Sequence, residues 1–338
     1  MKVTSYSFAA SVVAFSATVL ALPALYKRAG DAKKVFGCFA NAIVKGEWPS
    51  DCAAAVMEDV GIIQMIRVAD LKINFLEGGP SPLSLSSSKL SGDLLSFLGY
   101  TYKTSEAAQH ATIVDNGTAI ATFDTPPSAV AIVNNTFSSV VQSSNLTVLP
   151  GQNETFGAFV AALISKPEHT FILRGTFDVV IKTNAPPPIP ESVRITAIGF
   201  KSNITLKGCN NFPKVDYLEQ VGLTLDSATG VFTLTSRINV ENLSQLNVTL
   251  GDVTFQTADK NGLVVGDTVI KGMSLNMGSN QFTAITTSSN KELYDALTTA
   301  GATITLRGTD RSSPNPFVTT VVKVVSIAVV VPKLKPAA

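Results

Sequence analysis

The residues of this chain with chemistry to offer are few: two histidines, three cysteines, scattered carboxylates and seven Asn-x-Ser/Thr tripeptides. The tripeptides begin at Asn116, Asn134, Asn145, Asn153, Asn203, Asn242 and Asn247. Each is an acceptor for an N-linked glycan on a secreted chain, and a glycan marks an exposed loop or strand edge. Cys38, Cys52 and Cys209 would then meet an oxidising compartment, where three cysteines mean one bridge and one free thiol. Cys38 with Cys52 is the first expectation, since a short loop around Trp48-Pro49 separates them. Cys52 with Cys209 is the alternative and would tie the N-terminal segment to the body. Three scattered cysteines with His110 and His169 give no metal-ligand spacing, so no metal is expected.

A Ser-His-Asp triad would have to recruit His110 or His169, and both read as solvated. His110 sits in a polar strand-edge segment, and His169 in the Lys166-Pro167-Glu168-His169 turn after a helix. There is no Gly-x-Ser-x-Gly elbow. Retaining glycoside hydrolysis needs two carboxylates about 5 to 5.5 Å apart in a cleft. The candidates Asp178, Glu191, Asp252 and Asp267 fall on strands or turns without an aromatic sugar platform, and read as structural charges. Glycines fall in turns and not at strand-to-helix junctions, so a phosphate cradle is not expected. No catalytic residue and no cofactor are nominated. Arg174 and Arg307, in two Leu-Arg-Gly-Thr segments, are the candidate ligand contacts, for an anionic group; against this, an outward strand arginine usually serves a cross-strand ion pair.

Composition narrows the partners. Lys plus Arg number 26 and Asp plus Glu 25, so no basic excess attracts nucleic acid. Charged residues are 15% of the chain and hydrophobic ones 45%, which leaves glycans to supply hydration that charge does not. At the start, Lys2 precedes an apolar stretch from Phe8 to Leu20, and residues 1–21 read as a signal peptide, too short for a comfortable membrane span. Lys27-Arg28 is either a processing site, with a mature chain from Ala29, or a solvated basic pair. Residues 22–66 are expected to hold a propeptide remnant and a helical N-terminal cap, with Val35, Phe36, Phe39 and Ile43 on one stripe and a second short helix at Ala53 to Met57.

Beyond Arg67 the chain is rich in Val, Ile, Thr and Phe, in short runs broken by Gly, Pro, Asn and Ser, which predicts antiparallel sheet. Phe232, Leu234, Ile238 and Val240 share one face of a strand, and Thr233, Thr235, Arg237 and Asn239 the other. Asn116-Gly117 and Asn261-Gly262 each predict a hairpin in which both turn residues take positive φ. Phe156, Phe159, Val160, Leu163 and Ile164 predict a helix before the first Leu-Arg-Gly-Thr, and Leu293, Ala296, Leu297 and Ala300 one before the second, with Ser289 and Glu292 as its capping box. Turn, strands, helix and Leu-Arg-Gly-Thr strand thus occur twice in one order. The fold class expected is mainly β: two tandem immunoglobulin-like antiparallel sandwiches over 67–213 and 214–334, each with one short helix. Phe317 to Val331 is expected as a closing strand, since a lipid-anchor signal or membrane span would need a longer uncharged tail.

The strand pair from Asn242 to Phe255, the Asn-Gly hairpin, the helix and the Leu-Arg-Gly-Thr strand resemble a fungal family built on domain of unknown function 3712. Its repeats are similar to the late-embryogenesis-abundant type 2, or water-stress-hypersensitivity, sandwich. The resemblance implies a seven-stranded or similar sandwich in a secreted, vacuolar or cell-surface protein, and transfers no catalytic residue. Three functions follow as expectations. The first is a non-enzymatic binding or structural protein of the cell surface or extracellular space, or of the vacuolar lumen, with a protein or cell-wall partner. The second is a carrier of lipid or another apolar ligand, and the third a hydrolase for which no residues stand out.

Overall fold

The computed structural model describes residues 63–76, 83–94, 103–133, 136–182 and 192–336. The expected signal peptide, the basic pair, most of the N-terminal cap, Cys38, Cys52, Asn134 and Glu191 lie outside the described residues. The last four residues assigned to the cap, 63–66, are strand instead.

The first half of the described chain runs β1 (Ile63–Val68), β2 (Leu71–Asn74), β3 (Ser84–Leu94), β4 (Lys103–Asp115), β5 (Thr118–Val133), β6 (Thr136–Val148), α1 (Asn153–Ser165), β7 (Glu168–Lys182) and β8 (Ser192–Lys207). The second runs β9 (Val215–Leu225), β10 (Phe232–Asn242), β11 (Leu246–Ala258), β12 (Val264–Leu275), β13 (Gly278–Ser288), α2 (Lys291–Thr299), β14 (Ala302–Arg307), α3 (Pro316–Val322) and β15 (Ser326–Val331). The protein is mainly β, as its alternating β-branched runs predict.

Hydrogen bonding orders the first half β1-β3-β6-β5-β4-β7-β8. The second half is ordered β9-β10-β13-β12-β11-β14-β15, the same arrangement strand for strand. The repeat therefore extends to topology. It extends to register too. Leu173 and Arg174 face Ile113 and Thr112 of β4, while Leu306 and Arg307 face Thr257 and Gln256 of β11. In both repeats the ladder to the following strand slips at the same place, between Ile113 and Val114 and between Thr257 and Ala258.

The repeats are not insulated from each other. Strand β2 pairs antiparallel with β3 and parallel with β11, which joins both halves into one hydrogen-bonded path. The buried apolar side chains likewise form one continuous core. Helix α1 buries all five residues of its predicted stripe and packs on α3, where Phe156 meets Phe317 edge-on at 5.8 Å. Its C-terminal carbonyls are closed from the connection to β9. Cys209 N donates to Leu163 O at 2.9 Å and Asn211 N to Ile164 O at 3.0 Å. To reach them, Asn210, Asn211 and Phe212 all adopt left-handed φ near 50°, a run that costs non-glycine residues about 1–2 kcal/mol each.

Three local expectations are corrected. The apolar run Phe317 to Val331 is not one strand: Asn315 caps α3, with its Oδ1 accepting from Phe317 N, Pro316 opens the helix, and β15 starts only at Ser326. Val318, Val321 and Val322 are buried on one face of α3, so burial overrides their strand propensity, and the second repeat holds two helices. The cap of α2 is Asn290, whose Oδ1 accepts from Leu293 N at 2.7 Å, and not Ser289. Asn116 and Gly117 both take positive φ as predicted, whereas at the second hairpin only Gly262 does. There Asp259 organises a longer loop, its carboxylate accepting from Asn261 N and Leu263 N.

Candidate functional site

The two repeats part company after the Leu-Arg-Gly-Thr motif. In the first, β7 continues along β4 until Lys182 faces Lys103. In the second, β14 pairs with β11 at only three positions and the chain leaves after Arg307. Gly308 N then donates to Val325 O, and residues 309–312 fold into a small loop in which Ser312 Oγ accepts from Thr309 N at 2.8 Å. That loop returns to β11, where Thr254 N donates to Ser312 O at 2.9 Å. The departure opens a groove of about 270 Å³ on the β11–β12 surface.

Thr254 and Gln256 of β11, Val264, Gly266 and Asp267 of β12, and Thr309 and Arg311 of the loop line this groove. The side chains of Gln256, Asp267 and Arg311 are not engaged in an ion pair or hydrogen bond with another described residue. The walls therefore offer one carboxylate, one guanidinium, an amide and hydroxyls around a half-exposed Val264. This pattern of mixed donors and acceptors suits a polyhydroxyl ligand, and it lacks the paired nucleophile and base of covalent catalysis. Arg307 lies beside the groove, with its guanidinium over Gly262.

The glycine of each motif is explained by close approach. A Cβ on Gly175 would lie 1.9 Å from His110 O, and one on Gly308 would lie 1.9 Å from Val322 O. The arginines before them are exposed and do not come together. Arg174 faces Thr112 and Lys201, and neither arginine forms the expected cross-strand ion pair among the described residues.

His169 is not a solvated loop residue. It begins β7, is 9% exposed, and its Nε2 lies 2.9 Å from Asp115 Oδ1, with Phe159 edge-on against the ring. No hydroxyl or thiol of the described residues hydrogen-bonds to it, so the pair fastens α1 and β7 to the first Asn-Gly hairpin. The Asp115 contact had no sequence signal, since 54 residues separate the partners. His110 is exposed as expected and pairs with Asp124, although it lies within β4 and not at a sheet edge.

Asn116, Asn145, Asn153 and Asn203 are exposed. Asn242 and Asn247 are not, and the glycans expected there are corrected. Asn242 is 1% exposed, with Nδ2 donating to Leu246 O at 2.7 Å and Oδ1 accepting from Ser244 N. Asn247 Oδ1 accepts from Met277 N at 2.7 Å, and its Nδ2 points to Asp70. A sugar on either nitrogen would displace packed core. Cys209 is free and buried, its Sγ donating to Ser244 Oγ at 3.3 Å, so the alternative bridge to Cys52 is not formed. Burial pushes the Cys209 thiol up to about 11. Asp252 caps a turn by accepting from Gly272 N, Asp178 is half-buried on β7, and of these three described carboxylates only Asp267 reaches the groove. Among the described residues no group of three His, Cys, Asp or Glu could hold a metal, and no helix is long and apolar enough to cross a membrane.

Thr254 and Gln256 of the groove fall inside a stretch with a recognisable family likeness, whereas the other lining residues follow it. Residues 118–257 match a family model. It is described as a protein of unknown function, DUF3712, and the match runs from β5 of the first repeat through β11 of the second. No curated protein matches the chain. Among solved structures, a protein of unknown function from Porphyromonas gingivalis W83 matches at 12% identity over 79% of this chain and 98% of that one. Its TM-score is 0.17, too small for the likeness to bear on the fold.

Proposed function

We propose that this chain is a secreted, N-glycosylated, non-catalytic binding protein of a fungal cell surface or extracellular space, built on two seven-stranded sandwiches of the late-embryogenesis-abundant type. Its partner is a polyhydroxyl polymer of the wall, taken in the groove beside Arg307. The single observation that carries this reading is the groove itself: one of two equivalent motif positions is opened by the departing chain and lined with unengaged donors and acceptors. Four exposed sequons agree with a secreted surface short of charge. The vacuolar lumen is the alternative location. Two experiments test the reading. Peptide mapping of protein from a secretory host should find glycans on Asn116, Asn145, Asn153 or Asn203. Titration with soluble wall oligosaccharides should give binding that Arg311→Ala weakens about tenfold, an effect of about 1.4 kcal/mol. Binding that survives both Arg311→Ala and Asp267→Asn would remove the groove from the account.

A further inference from the structure

We propose that the interior of the first repeat, at Gln109, takes an apolar ligand carrying one neutral hydrogen-bond acceptor, such as an ester or ketone oxygen. Gln109 lies on the inward face of β4 between Ala107 and Ala111, and is 4% exposed. Its side-chain Nε2 is buried and has no hydrogen-bond partner, while its backbone N donates to Thr125 Oγ1 at 2.9 Å. In register it stands between Thr125 of β5 and Phe177 of β7. A buried donor without an acceptor costs stability, so its retention calls for an acceptor from outside the chain.

The fold itself does not need a polar pair here. Counting back from the shared ladder slip, Ile113 corresponds to Thr257, so Gln109 corresponds to Val253 and its cross-strand partner Thr125 to Ile270. Both counterparts are fully buried and apolar. One repeat closes this position with hydrocarbon, and the other places an amide and a hydroxyl there. Phe177, its register neighbour, packs against Phe137 and Phe200, and these buried rings carry no ionisable group, so a charged ligand would be left unpaired and a neutral acceptor fits. Toward the joined ends of β5 and β6, Val130, Ile132 and Val179 pack on the core yet stay partly exposed, which gives an apolar approach from solvent.

The site is separate from the groove, and its test is independent of the wall-binding reading. Matched probes, methyl octanoate and nonane, are titrated against the isotope-labelled full-length protein by ligand- and protein-observed NMR. The ester should bind about tenfold more tightly than the alkane, the Gln109 side-chain amide proton should shift with the ester alone, and Arg311→Ala should change neither result. In Gln109→Met, which keeps the length and removes the donor, the preference should vanish while the thermal midpoint stays at or above that of the wild type. Failure of both probes to bind the wild type, a silent Gln109 amide, or an unchanged preference in Gln109→Met would each overturn the proposal and leave a trapped water as the acceptor.

Discussion

Arg174 and Arg307 hold the same register position in two copies of one strand order, but the chain beyond them meets different fates. After Arg174 the strand runs on beside β4, and after Arg307 it turns away to make a loop, helix α3 and a groove. The inward positions diverge in the opposite sense, with Gln109 and Thr125 in the first repeat where Val253 and Ile270 fill the second. These two departures from the common plan thus lie in different places, outside in the second repeat and inside in the first. Shared register marks what the fold needs, and broken equivalence marks where function is sought.

The comparison can be broken most forcefully at the motif glycines. Gly175→Ala and Gly308→Ala should each cost about 3 kcal/mol in urea unfolding, or roughly 6–12 °C in thermal midpoint, because each new Cβ meets a backbone oxygen. Equal losses from a neighbouring strand in one case and a helix end in the other would show one residue type serving two contacts. A harmless Gly308→Ala would mean that α3 does not hold its place against the motif.

Val253→Gln sharpens the interior contrast. It buries an amide opposite Ile270, where the second repeat pairs two apolar side chains, and should lower stability by about 1–3 kcal/mol in the same assay. Little or no loss would show that either repeat tolerates the amide and weaken the special status of Gln109.

The joint between the repeats is open to a pH test. The folded Cys209 thiol titrates at about 11 against an ordinary 9.0, so the folded protein keeps a proton that the unfolded chain releases. Its contribution is whole below pH 9 and fades by about 2–3 kcal/mol as the pH rises to about 11. Cys209→Ala should flatten that part of the stability profile. Tyr217, raised by burial to about 12, adds a fall of the same sign that the variant retains.

A smaller effect separates the sequons. Asn242→Ala should cost about 2 kcal/mol, because Leu246 O and Ser244 N lose their partner, whereas Asn203→Gln on the exposed face of β8 should change stability by less than about 0.5 kcal/mol. The ratio of the two would read the difference between a structural amide and a glycan acceptor.

Much of this molecule was legible as pattern. The alternation in Phe232 to Val240, the helical stripe from Phe156 to Ile164 and the paired Leu-Arg-Gly-Thr segments are local signals, and each sits where its period places it. The candidate groove was not legible, because Gln256, Asp267 and Arg311 are ordinary polar residues until a chain departure brings them together. The sequons misled at Asn242 and Asn247 because three letters carry no information on burial.

The sequence by itself determined strand content, the first helix, the turn at Asn116-Gly117 and the order of the repeat, all of which rest on periods of two or 3.6 residues and on the φ preferences of glycine and asparagine. Only the tertiary structure decided that Phe317 to Val322 coil into a helix, that His169 meets Asp115, that β2 stitches the repeats together and that the Gln109 Nε2 is buried without a hydrogen-bond partner. Those outcomes depend on contacts between residues far apart in the chain, where burial outweighs the local propensities that a linear pattern records.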